Sequence, residues 1–239
     1  MKYLLIIITT IAIAGCAIAQ KPISPERLAS IDKVGIISSV NSEICFSYLG
    51  FTVFGNALEC EEIKDYPLSQ KLVAQVYKSA SKATKIPLTI IDVDNQTKDL
   101  INSSTDYHGN LNVEKISQKL SETPALEGYK YLLIFRPDVW QFYQAPNPIK
   151  GLGVWSNKKG IGNPYIIYQF ELINIESNEV LAVGTTSYRD EDITLKLSDS
   201  YAELDAKEKS NMWLVFENAY EKSINRGVAP LFYNPKPNG

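Results

Sequence analysis

The sequence predicts an α/β (α+β) fold: a mixed β-sheet packed by two or three helices, with a long β-hairpin in the C-terminal half and a terminal helix. Three stretches predict it. "YKYLLIFRP" is a near-continuous apolar run, the pattern of a strand buried on both faces. "YIIYQFELINIESNEVLAVGTTSY" holds two β-branched and aromatic runs around the polar turn Glu176-Ser177-Asn178-Glu179. "DYPLSQKLVAQVYKSASKAT" carries Leu68, Leu72, Val76, Ala80 and Ala83 at helical spacing, with Lys and Ser opposite and Pro67 suited to a first helical position.

The remaining elements fall into place around these. "KVGIISSV", Lys33 to Val40, reads as the first strand, and "EICFSYLGFTVFGN" supplies one or two more. "IPLTIIDVD" is a strand approached through Pro87, and "NVEKISQKLSE" is a short helix with Val113, Ile116 and Leu120 on one side. The last helix is "KSNMWLVFENAYEKSINRGVAP". Met212, Phe216, Ala219 and Tyr220 share a face, Lys222 and Arg226 favour the helix dipole, and Gly227 is expected to close it before Pro230. The order is β-β-α-β-α-β-loop-β-β-α, without internal repeats.

The N-terminus has the layout of a secretory signal: Lys2, an apolar stretch from Tyr3 to Ala14, then small residues. Crossing the hydrocarbon layer takes ~20 apolar residues, which this stretch barely reaches. Ala17-Ile18-Ala19 fits ordinary cleavage before Gln20. Ile13-Ala14-Gly15-Cys16, however, resembles the bacterial lipoprotein signal, in which the chain is cut before a cysteine carrying diacylglycerol on its sulfur. That resemblance implies a mature chain lipidated at Cys16. Two or three acyl chains hold firmly where one holds weakly, since each buried methylene contributes ~0.8 kcal/mol. Ala17 stands where an Asp would signal inner-membrane retention, so the resemblance implies an outer-membrane anchor facing the periplasm; a Gram-positive host would place it on the cell surface.

The expected organisation is a signal peptide over 1–15, a polar, lipidated tether over 16–30, and a single α/β domain over 31–239. The sequence is 45% hydrophobic and 21% charged, a composition that excludes global disorder. After removal of Lys2 the balance is 23 basic residues against 27 acidic ones, with no Lys/Arg run, which argues against a nucleic-acid partner. With Cys16 lipidated, Cys45 and Cys60 remain. Exported proteins meet oxidising conditions, so these two are expected to pair; two buried free thiols are the alternative. Two cysteines and a single His108 do not make a four-ligand zinc set.

Catalytic signals are few. "KGLGVWSNKKGIGNP" is rich in glycine, but no phosphate-binding context surrounds it. It reads as a mobile or bulged surface loop, with Lys158 and Lys159 able to attract an anion weakly. Asp92 and Asp94 in "DVDNQ" lack the Gly and terminal Glu of a calcium loop, since Thr97 fills the Gly place. They read as a solvated strand exit. His108 lies in the turn-like "STDYHGN", and the sequence contains no G-x-S-x-G nucleophile motif. No catalytic, metal or cofactor residue is assigned. Trp140, Phe142 and Tyr143 in "VWQFYQAPNP", with Trp155 beyond, are too crowded for all to face one core. They form the candidate binding surface, because exposed aromatics anchor protein partners or stack on sugars.

The succession "KVGIIS", amphipathic helix, "LTIIDV", "YKYLLIF", "YQFELINIESNEVLAV" and terminal helix resembles the N-terminal domain of the Tol–Pal periplasmic protein and the fold of the curli-secretion lipoprotein. Leu172-Ile173-Asn174 and Val180-Leu181-Ala182 fill the places flanking the family's hairpin turn. The similarity runs from about Lys33 to Val228 and departs in the aromatic segment after Val40 and in the loop over 137–164. The lipid signal and the candidate aromatic surface together lead to the expectation of a non-enzymatic cell-envelope lipoprotein that binds or supports another envelope component of a secretion, transport or wall-associated assembly. The alternative expectation is an exported hydrolase of envelope glycan or lipid working through paired carboxylates.

Overall fold

The structure is a computed structural model that describes residues 23–48, 57–106, 109–140, 149–158, 161–189, 195–196 and 200–232. In chain order these form α1 (Pro25–Ala29), β1 (Val34–Ser38), β2 (Glu43–Tyr48), β3 (Ala57–Glu62), α2 (Leu68–Ala83), β4 (Leu88–Ile90), α3 (Asn95–Ser103), α4 (Val113–Ser121), β5 (Tyr131–Pro137), β6 (Val139–Trp140), β7 (Ile149–Lys158), β8 (Ile161–Asn174), β9 (Glu179–Arg189), β10 (Leu195–Lys196) and α5 (Ala206–Phe232). The mixed α/β fold expected from the sequence is present, with its C-terminal hairpin and closing helix.

The long strand β8 organises the sheet. Its C-terminal half pairs antiparallel with β5, from Tyr131–Asn174 to Pro137–Tyr168. Its N-terminal half pairs with β7, starting at Gly151–Ile167. β9 pairs along its other edge from Asn174 to Tyr165, so β5 and β7 lie end to end on one side of β8. β1 and β2 form the next broken row, parallel to β5 and β7 respectively. The outermost strands are β4, parallel to β1, and β3, antiparallel to β2. The result is an upper half-sheet β4-β1-β5 and a lower half-sheet β3-β2-β7, joined through β8.

Strand alternation divides the core. Val34, Ile36, Leu133, Phe135, Phe170 and Leu172 face α2 and α5. Ile37, Leu132, Ile134 and Ile173 face α3 and α4, making the upper half three-layered. β5 is buried along its whole length, as its apolar run predicts. In α2, Leu68, Leu72, Val76 and Ala80 are buried, and the helix runs beside α5. Tyr66 stacks on Trp213 at 4.0 Å, and Lys71 and Lys78 pair with Glu217 and Glu221.

Four features differ from the sequence expectation. First, Gly151 and Gly153 belong to β7, a central strand, and not to a surface loop. A Cβ on Gly153 would stand 2.1 Å from the Cys45 carbonyl oxygen and 2.5 Å from the Tyr165 hydroxyl, so only glycine lets these rows close up. Second, α5 continues through Gly227 and Pro230 to Phe232. Gly227 serves close packing: a Cβ there would meet Phe170 at 2.6 Å, while one on Gly184 would meet the Gly227 carbonyl at 2.1 Å. Third, α3 begins directly after Asp94, whose carboxylate accepts from the Thr97 N–H at 2.7 Å, so "DVDNQ" is a helix cap. Fourth, folded structure starts within the stretch read as tether. Ile23 is buried in the main core and Ser24 caps α1.

Candidate functional site

The aromatic segment picked out from the sequence springs from the break between β5 and β7. β5 ends at Pro137 opposite Tyr168, and β7 takes over at Gly151 opposite Ile167. Asp138 bridges the break. Its N–H donates to Ile167 O at 3.1 Å, and its carbonyl accepts from Gly151 N–H at 3.2 Å. The 139–150 excursion is closed at its base by β6, which pairs Val139 with Lys150 and Trp140 with Ile149; residues 141–148 lie outside the described residues. Gly151, at φ 63°, makes the return, a conformation that favours glycine.

The root of this excursion is part core and part surface. Ile149 is buried, whereas Val139 is 51% exposed. The Trp140 backbone belongs to β6; its side chain, together with Phe142 and Tyr143, lies outside the described residues. Trp155 is described. It is 8% exposed and packs with Cys45, Ile149, Tyr165 and Ile167 on the lower half-sheet. Strand alternation decides this: residues 153, 155, 165 and 167 share the face opposite the α2–α5 layer.

A buried ionic cluster lies at the C-terminal end of β5. Arg136, Gln169 and Glu171 share the α3–α4 face with Leu132 and Ile134, at the point where the apolar layer ends. Arg136 Nε donates to both Glu171 oxygens at 3.1 and 3.2 Å. Its Nη2 donates to Glu171 Oε1 at 2.7 Å, to Gln169 Oε1 at 2.8 Å and to the Gly109 carbonyl. The three side chains are all nearly inaccessible to solvent. Glu171 also accepts from the Leu111 N–H, so the ion pair grips the α3–α4 loop through both Gly109 and Leu111. That loop is closed by the Thr105–Leu111 bridge and by Asn110 N–H donating to the Asp106 carboxylate.

Burial raises the Glu171 carboxyl above its ordinary range, against the pull of Arg136. Burial also raises half-buried Asp138, opposed by the Val139 N–H and then by Arg136. The Asp138 charge adds to the rise of Glu171. Glu171, however, has its oxygens committed to Arg136 and Leu111. Among the described residues, Gln169 Nε2 has no hydrogen-bond partner. The arrangement is a buried polar joint between β5, β8 and the α3–α4 loop.

The other sequence candidates have local roles or lie beyond the described residues. Cys45 and Cys60 are bonded, at directly opposed positions of β2 and β3. Asp94 caps α3, and exposed Asp92 pairs with Lys98 at 3.7 Å. Cys16, His108, Lys159 and the Lys158 side chain lie outside the described residues. Among the described residues, no three His, Cys, Asp or Glu side chains gather as a metal site. None of the described helices is long and apolar enough to cross a membrane. The Arg136–Glu171–Gln169 joint escapes the sequence reading. Its trace is the polar alternation "QFE" in β8 facing "IFR" near the end of β5, visible only once the two strands are known to pair.

No family model matches the chain, and no curated protein matches it. Similar solved structures include a PelC dodecamer from Paraburkholderia phytofirmans, at 11% identity and a TM-score of 0.37, covering 91% of this chain and 96% of that one. Another is lipoprotein GNA1162 from Neisseria meningitidis, at 12% identity and a TM-score of 0.29, covering 77% and 96%. A third is the hypothetical protein CT253 from Chlamydia trachomatis, at 11% identity and a TM-score of 0.37, covering 81% and 94%. Likenesses this slight carry no argument about function.

Proposed function

We propose that this chain is a non-enzymatic lipoprotein of the bacterial cell envelope, anchored through acyl chains on Cys16 and facing the periplasm from the outer membrane. Its folded domain binds or supports another envelope component of a secretion, transport or wall-associated assembly. The excursion over residues 139–150 is the contact segment, presented from the buried joint of Arg136, Gln169 and Glu171.

The observation that carries this reading is the distribution of the cysteines. Cys45 and Cys60 are joined to each other, which suits an exported, oxidised protein. That leaves Cys16, at the end of an export signal, as the one cysteine available for another bond. The hydrolase alternative needs two carboxylates free to act on a substrate. Glu171, which neighbours Asp138, is instead spent on holding Arg136.

The test is fractionation of native and Cys16→Ser chains, followed by affinity capture from detergent-solubilised membranes. The native chain is expected in the membrane fraction with a co-purifying envelope protein, and the variant in the soluble fraction. A partner captured equally by a chain with both Trp140 and Phe142 changed to Ala would remove the excursion from the proposal. Identical fractionation of native and Cys16→Ser chains would remove the anchor.

A further inference from the structure

The tether has a length, and the fold has two ends. Ile23 is 3% exposed and packs in the main core, and Ser24 caps α1 immediately after it. Only seven peptide steps separate Cys16 from Ile23. Fully extended, at ~3.6 Å per residue, they span no more than ~25 Å. Whatever lies around α1 is therefore held close to the anchoring bilayer.

The structure identifies that neighbourhood. Arg27 of α1 pairs with Glu179, the first residue of β9. Beside it, Lys130, which leads into β5, pairs with Glu176 of the β8–β9 turn. The opposite end of the molecule is set by β8. From Asn174 back to Ile161 the strand runs thirteen steps, ~40 Å at ~3.3 Å per residue. Tyr48 and Ala57, paired at the far end of β2 and β3, belong to that distal end, because β2 runs with β7 toward the start of β8.

We infer that the end carrying α1, the β8–β9 turn and Lys130 rests against the lipid headgroups of the anchoring membrane, and that the lower half-sheet points away from it. The surface chemistry of this end suits headgroups. Its ion pairs are exposed and alternate in sign, matching a surface that carries both charges. The large exposed apolar side chains among the described residues are Tyr77, Ile90, Val139 and Leu214, and none belongs to α1, this turn or the approach to β5. The contact is therefore one of apposition, without insertion. Asp138, at the root of the 139–150 segment, is bonded to Ile167, seven residues from Asn174 and so ~20 Å along β8.

This inference rests on the Cys16 anchor, and its test separates the two. The mature, lipidated chain is placed on vesicles of phosphatidylcholine and phosphatidylglycerol containing an acceptor-labelled headgroup. A donor dye is attached at Ser177→Cys in one sample and Ala57→Cys in another, both exposed positions, with the native disulfide left oxidised. Energy transfer is expected to be several-fold stronger from position 177 than from position 57. Insertion of twenty Gly/Ser residues before Ile23 is expected to abolish the difference. Equal transfer with the native tether, or stronger transfer from position 57, overturns the orientation. A chain that fails to float with the vesicles and carries no acyl mass overturns the anchor instead.

Discussion

The two halves of the sheet are held in different ways. The upper half-sheet has helices on both faces, α2 and α5 on one and α3 and α4 on the other. In the lower half-sheet, Ile44, Phe46, Leu152, Val154 and Ile166 join the main core. The opposite face carries the small cluster of Cys45, Ile149, Trp155, Tyr165 and Ile167. Among the described residues no helix packs on that cluster. The half with less helical cover carries the disulfide and the tight Gly153 contact. Burial on two faces supplies the cohesion of one region; a covalent staple and close backbone packing supply that of the other.

The largest effects are expected in the upper half. Phe135 is fully buried and packs against Tyr168 and Phe170 with ring centres 4.9 and 5.2 Å away. Phe135→Ala is expected to cost about 3–5 kcal/mol, read as a single cooperative shift in urea unfolding. Arg136→Leu leaves the Glu171 carboxylate buried without its cation and is expected to cost a similar ~3–5 kcal/mol. It also releases the α3–α4 loop, so the amide of Leu111 should exchange hydrogen faster than those of β1. An unchanged Leu111 exchange rate would break the description of the cluster as a joint.

In the lower half, Cys45→Ser combined with Cys60→Ser is expected to cost about 3 kcal/mol, the loop-closure value for a loop of this length. Exchange should accelerate first in β2 and β3 while β1 and β5 stay protected; simultaneous loss of protection in both halves would erase the distinction. The glycines sharpen it. Gly153→Ala drives a methyl into the Cys45 carbonyl, whereas Gly35→Ala meets the movable ends of Ile91 and Leu132 at 2.6 and 3.0 Å. We expect Gly153→Ala to cost about 3 kcal/mol or more and Gly35→Ala about 1 kcal/mol, compared by urea midpoints.

Much of the fold was legible because it follows periodicity. β5, α2, α4 and the β8–β9 hairpin declare themselves through apolar spacing that burial then enforces. β7 was illegible because its glycines answer to a neighbouring strand: nothing in "KGLGVWS" reveals that the Cys45 carbonyl needs the space at position 153. Gly227 failed for the same reason, reading as a helix stop when its use is contact with Gly184 and Phe170. The Cys45–Cys60 bond was legible from counting cysteines, whereas the Arg136–Glu171 pair, 35 residues apart, required knowledge of strand pairing. Trp155 looked like surface from composition, and strand alternation turned it inward.

The smallest expected effect is on pH dependence. Burial raises Asp138, so the folded chain holds that proton more tightly than the unfolded chain does. Its contribution to stability is fully present below the ordinary Asp range, near ~4, and is lost as pH rises through the folded value. Glu171 shifts in the same sense. Asp65 and Glu217 act oppositely, since hydrogen bonds from Tyr201 and from Lys71 lower them, and their contributions are lost as pH falls. Asp138→Asn can still accept from the Val139 N–H. It should flatten the decline in urea midpoint as pH rises from about 4 toward neutrality; an unaltered slope would show that this carboxyl is not strained by burial.

The account stands on the anchor, and intact mass of the chain purified from membranes tests it most directly. The predicted mass is that of residues 16–239 with the disulfide formed plus two or three acyl chains on Cys16. A mass matching residues 20–239, or the full chain from Met1, without added lipid would contradict it.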